Sequence, residues 1–117
     1  TKQPAVYRYQ EVARHMLKDV ADPRIVNYPC FIPNWDNTPR SAGNGRVLQG
    51  STPELARLVL REAIRVASKY PPEHRIVFVK SWNEWAEGNY LEPDLRFGRG
   101  YLGAVRDEVF IRPADLG

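Results

Sequence analysis

The ten residues Ser81-Trp82-Asn83-Glu84-Trp85-Ala86-Glu87-Gly88-Asn89-Tyr90 hold two Trp, one Tyr, two Glu and two Asn. Aromatic rings offer flat apolar faces to sugar C–H groups, and amides and carboxylates pair with hydroxyls. Trp82, Asn83, Trp85 and Tyr90 therefore suit a carbohydrate. Glu84 and Glu87 stand three residues apart. In an extended strand they would point to opposite faces, but a tight or helical turn brings their Cβ atoms to roughly 5–6 Å. Gly88 makes such a turn accessible. Two carboxyls about 5–5.5 Å apart suit a retaining glycosidase, and about 6.5–9.5 Å leaves room for the water of an inverting one. Proximity also pushes their pKa values apart, leaving one protonated as acid and the other ionised as base.

A second polar and aromatic segment, Trp35-Asp36-Asn37-Thr38-Pro39-Arg40, opens a stretch rich in Asn, Gly, Pro and Ser that runs to Gly50 without hydrophobic period. A loop of that length in a small domain is more often functional than idle. Trp35, Asp36, Asn37 and Arg40 are candidates for substrate binding. The guanidinium fork of Arg40 fits Asp36, Glu92, or an anionic sugar or phosphate. The plainer alternative is an Asp–Arg pair that pins the loop. Glu92 is a further binding candidate, though it and Asp94 also suit a helix start or a loop hydrogen bond. His15 and His74 have no Cys, His or carboxylate at ligand spacing, so no metal is expected. No cofactor motif is present either: Gly98-Arg99-Gly100 lacks the rest of a phosphate-binding fingerprint.

These residues need a scaffold. Val12, Ala13, Met16, Leu17 and Val20 recur at helical spacing from Tyr9, predicting an amphipathic helix that ends near Asp22-Pro23. Ile25 to Ile32, broken by Pro29 and followed by Pro33, reads as an irregular strand. Ser51-Thr52-Pro53-Glu54 opens a second helix with a capping hydroxyl, a first-turn Pro and an acid at the positive helix end. That helix is expected to reach about Tyr70, burying Leu55, Val59, Ala63, Val66 and Tyr70 and leaving Arg57, Arg61, Arg65 and Lys69 as a solvated row. Pro71-Pro72 stops it. Arg75 to Val79 then reads as a strand covered on both faces, and a last helix is expected from about Gly100 to Phe110, with Tyr101, Leu102, Val105 and Val109 inward. The order α-β-α-β-α with parallel strands is α/β architecture, in which ligands gather at the carboxyl ends of strands.

Composition narrows the alternatives. The chain has 117 residues, 43% hydrophobic and 26% charged, which excludes disorder, collagen and coiled coil. Its one Cys, Cys30, excludes a disulfide-stapled scaffold. Seventeen basic against fourteen acidic residues give +3, spread too evenly to argue for nucleic acid. The longest apolar run, Ile76 to Val79, is far short of the ~20 residues of a membrane span. The chain starts at Thr1 without a leader and reads as soluble, and as cut from something longer.

The segment Val79-Lys80-Ser81-Trp82-Asn83-Glu84-Trp85-Ala86-Glu87-Gly88, then Leu91-Glu92-Pro93-Asp94 and Gly98 to Leu102, resembles the end of the WbsX-type glycosyltransferase family. These are bacterial proteins associated with surface polysaccharide biosynthesis. Trp35 to Arg40 resembles a second hallmark of that family, so the resemblance covers roughly Ile25 to Arg106. The Asn-Glu-Trp-x-Glu-Gly core is also similar to the endo-α-mannosidase family of glycoside hydrolases, which are (β/α)8 barrels. The resemblance implies that Glu84 assists as a base on the sugar 2-hydroxyl and that Glu87 is the general acid and later base at the leaving-group oxygen. This chain departs from the hydrolases at Ala86, where they usually carry His.

The fold so implied is the C-terminal portion of a (β/α)8 barrel, residues 1–117 supplying its last two βα units, since a whole barrel takes about 250 residues. The expected partners are a glycan and the rest of the barrel, or a second copy if the piece stands alone with open strand edges. The expected compartment is the bacterial cytoplasm. The rival reading is a non-catalytic carbohydrate-binding module in which Trp35, Trp82 and Trp85 stack on sugars. Carboxyls converging beside Trp35 would favour the enzyme; carboxyls splayed over a flat aromatic platform would favour the module.

Overall fold

The computed structural model describes residues 1–18 and 21–110, in the order β1 (Ala5–Arg8), α1 (Tyr9–Met16), β2 (Cys30–Phe31), β3 (Trp35–Asp36), α2 (Thr38–Ser41), β4 (Arg46–Gln49), α3 (Pro53–Ser68), β5 (Phe78–Val79), β6 (Asn83–Glu84), β7 (Asn89–Tyr90) and α4 (Gly100–Val109). Single 3-10 turns lie at Ala42–Asn44, Pro72–His74 and Trp85–Glu87. The architecture is mixed α/β, with three small sheets and no closed barrel among the described residues.

The longest element, α3, forms for the reasons its sequence suggests. Thr52 is its N-cap in extended conformation, and its hydroxyl accepts the Leu55 N–H at 3.2 Å. Pro53 fills the first turn, where no helical donor is lost. The buried stripe is Ala56, Val59, Leu60, Ala63, Val66 and Ala67, which includes the expected Val59, Ala63 and Val66; Leu55 lies at its edge, and Tyr70 falls beyond the helix, its hydroxyl accepting the Asn27 N–H at 3.0 Å. Tyr9, Ala13 and Leu17 from the first helical segment, Phe31 from β2, Leu91, and Tyr101 from α4 complete one core against it. Tyr9 is fully buried, and its hydroxyl donates to the Ile32 carbonyl at 2.7 Å; burial pushes its titration far above the ordinary phenol value.

The basic row on α3 is not simply solvated. Arg57 and Arg61 close on Glu108 of α4 at 2.6 and 2.7 Å, and the Glu108 side chain is 1% exposed. Glu108 joins Tyr101 and Ala104 as the buried face of α4, while Val109, expected inward, is exposed.

Two parallel pairings organise the strands. β2 pairs with β5 in the register Cys30 with Phe78 and Phe31 with Val79, and α3 lies between them in the chain. β1 pairs with β4, which also pairs antiparallel with β3. Thus the segment 35–50, expected to lack regular structure, contains two strands and two helical turns. β1 and β4 went unforeseen because four-residue strands with polar and apolar residues mixed carry little periodic signal. The first helix ends at Met16, earlier than expected, and Val20 lies outside the described residues. The strand expected from Arg75 pairs over Phe78–Val79 alone and is not covered on both faces: Phe78 is 57% exposed and Val79 43%. No further strand lies beside β2 or β5 among the described residues to cover it.

Candidate active site

Both candidate segments follow the parallel pair: Trp35 to Arg40 after β2, and Lys80 to Glu87 after β5. β6 and β7 form a hairpin pairing Asn83 with Tyr90 and Glu84 with Asn89. Its loop is the 3-10 turn Trp85–Glu87, closed by Gly88 in the left-handed region at φ 54°. This is the tight turn that brings a three-residue Glu spacing onto one side. Glycine is required at 88 for a second reason. A Cβ there would stand 2.5 Å from the Asp36 carbonyl oxygen, so the turn lies directly against the Asp36 backbone.

Two buried asparagines join these loops. Asn89 Nδ2 donates to the carbonyls of Asn34 at 2.7 Å and Lys80 at 2.8 Å. Asn34 Nδ2 donates to the Tyr90 carbonyl at 3.2 Å, and Asn34 Oδ1 accepts the Tyr90 N–H at 2.8 Å. Ser81 Oγ donates to the Asn89 carbonyl and accepts the Glu84 N–H, which fixes the base of the hairpin. Backbone-directed bonds of this kind leave little freedom between the two segments.

On that frame the carboxylates converge on one cation. Arg40 donates through Nη2 to Glu84 Oε1 at 3.2 Å and through Nη1 to Glu87 Oε1 at 3.1 Å. Lys80 Nζ reaches Glu87 Oε2 at 3.4 Å and lies 5.4 Å from the centroid of the Trp35 ring, a cation–π distance. Glu87 is thus held at both oxygens, and its side chain is 20% exposed; Glu84 is held at one and is 41% exposed. Arg40 pairs with neither Asp36 nor Glu92, the partners its sequence position suggested. Trp35 also lines an apolar hollow of about 420 Å³ with Tyr7, Val12, Met16, Ile32 and Leu48.

Beside this cluster stands an aromatic one. Trp85 stacks on Tyr90 with centroids 3.9 Å apart and planes 13° from parallel, and Trp85 Nε1 donates to Glu92 Oε2 at 2.7 Å. Tyr90 donates its hydroxyl to Asp94 at 2.7 Å. Burial, then the Asp94 contact, pushes the Tyr90 phenol well above its ordinary value, so it stays protonated as a donor. One face of Trp85 is therefore covered and fixed while the residue remains exposed.

The other candidates divide. Asp36 Oδ1 accepts the Thr38 N–H and hydroxyl, and Asn37 Oδ1 accepts the Arg46 N–H, so these atoms shape the loop that carries Arg40. Trp82 is 57% exposed and Asn83 is exposed; Trp82 offers its carbonyl to the Leu91 N–H. Asp94 does not start a helix: its Oδ1 accepts the Phe97 N–H in a turn before α4. Sequence reasoning missed Asn34, Lys80, Ser81 and Asn89. Their place within or beside the two motifs was the available signal, but the partners that join Asn34 to Tyr90 and Asn89, and Lys80 to Trp35, lie across the fold. No group of three His, Cys, Asp or Glu side chains suited to a metal occurs among the described residues.

Comparison with known proteins places the whole chain rather than the site. Two proteins designated uncharacterized protein WxcX, from Xanthomonas campestris pv. campestris strains B100 and ATCC 33913, are each 40% identical over 111 residues. The match covers 92% of this chain and 16% of theirs, so the chain spans about a sixth of the length of these relatives. No solved structure matches it. The family described as glycosyltransferase WbsX matches residues 1–105, a span that includes every site residue above and most of α4, and the chain belongs to that family.

Proposed function

We propose that this chain supplies the catalytic wall of a carbohydrate-active enzyme that transfers or hydrolyses glycosyl units of a bacterial surface polysaccharide. Glu87 acts as general acid and base at the leaving-group oxygen, and Glu84 assists as a base. The observation that carries this reading is the convergence of Glu84 and Glu87 on the single guanidinium of Arg40, beside Trp35. A sugar-binding platform has no need to gather two carboxylates in one place, whereas acid–base chemistry at a glycosidic bond does. The fixed ring of Trp85 and the exposed ring of Trp82 supply faces for the sugars on either side of the bond.

The parent fold in this proposal is a (β/α)8 barrel whose last two βα units are residues 1–117. Its support is the parallel β2–β5 pair joined through α3, with site residues leaving the carboxyl ends of both strands. Glu87→Gln in the full-length protein, assayed on the surface polysaccharide of the bacterium that encodes it, is expected to lower turnover at least ~100-fold while glycan binding persists. Turnover near that of the wild type would leave the binding-module reading in its place.

A further inference from the structure

Arg40 is a candidate for substrate contact by sequence, and in the structure each of its terminal nitrogens donates to a carboxylate of this chain. We propose that Arg40 is a positioning residue: its planar fork sets the spacing and orientation of Glu84 and Glu87, with Lys80 as a second cation locking the far oxygen of Glu87. The inference rests on the catalytic reading of that pair.

Three observations carry it. First, Arg40 is supplied to the pair by a built loop. α2 is a single turn whose start is fixed by Asp36 accepting from Thr38 at 2.9 Å and by the Asn37 carbonyl accepting the N–H groups of Arg40 and Ser41. Second, that loop abuts the carboxylate turn so closely at Gly88 that a methyl group would not fit, so Arg40 and the Glu pair are registered by backbone contact. Third, the contacts are unequal. Arg40 binds one oxygen of each carboxylate, and Lys80 adds a contact to Glu87 alone. Glu87 is thereby held at both ends while one oxygen of Glu84 lies outside this network of cations.

Two carboxylates side by side repel, and a guanidinium donating to both offsets that repulsion in a fixed plane. An ammonium is a point charge without that fork, so Lys at position 40 would attract the pair without orienting it. Misplacement of reacting groups by about 1 Å can cost on the order of 100-fold in rate.

The test measures kcat and KM of the full-length protein on isotopically labelled surface polysaccharide extracted from the encoding strain. Turnover is read as a change in chain-length distribution, which registers transfer and hydrolysis alike. Arg40→Ala is expected to lower kcat ~10–100-fold with KM within about threefold of wild type. Added methylguanidinium is expected to restore turnover to Arg40→Ala in a saturable way and to do nothing for Glu87→Gln. Arg40→Lys is expected to recover little of the lost kcat, and it decides by the same split if Arg40→Ala is insoluble.

An unchanged kcat in Arg40→Ala beside an inactive Glu87→Gln overturns the positioning role alone. A raised KM with kcat retained does the same and returns Arg40 to substrate binding. Normal turnover by Glu87→Gln overturns the catalytic reading itself, and this inference with it.

Discussion

At the scale of single residues, the motif around the Glu pair was legible because its chemistry is local. A three-residue carboxylate spacing followed by glycine predicts a tight turn, and Gly88 adopts the left-handed backbone that such a turn uses. The partners of the pair were not legible, because Arg40 lies 44 residues before Glu84 and 47 before Glu87 and only tertiary contact joins them. Lys80 is a sharper case. A residue at the end of a strand can face either side, and its place between Trp35 and Glu87 depends on where β2 directs the Trp35 loop. Gly88→Ala tests the backbone contact. The left-handed conformation alone costs alanine about 1–2 kcal/mol, and the overlap with Asp36 adds to it. A lower thermal midpoint and a loss of turnover together are expected; an unaltered midpoint would mean that the two loops are not registered there.

At the scale of elements, α3 was legible in its cap and its periodicity, whereas the clamp between α3 and α4 was not. A row of arginines on a helix face reads as solvated until the facing helix shows what it brings, here the buried Glu108. Arg61, then Arg57, holds the Glu108 carboxyl below its ordinary value, partly opposed by burial. A carboxyl depressed in the folded state adds stability that is complete above its unfolded value, about 4.3, and is lost as pH falls through the folded value. Glu108→Gln is therefore expected to lower stability by about 1–3 kcal/mol at pH 7. Melting curves of the two proteins should converge as pH falls below the unfolded value and through the lower folded one, and a constant gap across that range would show that the ion pairs contribute nothing. Thr52→Ala, which removes the cap of α3, is expected to cost about 1 kcal/mol at every pH.

At the scale of the whole molecule, α/β character was legible from alternating helix and strand patterns, but the extent of the sheets was not. Ile76, Phe78 and Val79 have the composition of a strand buried on both faces, yet all three are exposed, in a sheet where β5 pairs with β2 over two residues alone. The barrel proposal makes this measurable: hydroxyl-radical footprinting should find Phe78 reactive in the 117-residue chain and protected in the full-length protein. Equal reactivity in both would remove the barrel. The central claim, that Glu84 and Glu87 work as one catalytic unit on a glycan, is tested most directly by the turnover of Glu84→Gln, Glu87→Gln and their double variant in the full-length protein. Residues that act as a unit are non-additive. Each single variant is expected to lose at least ~100-fold and the double variant little more than the worse single. Near wild-type turnover in either single variant, or losses that multiply in the double, would contradict it.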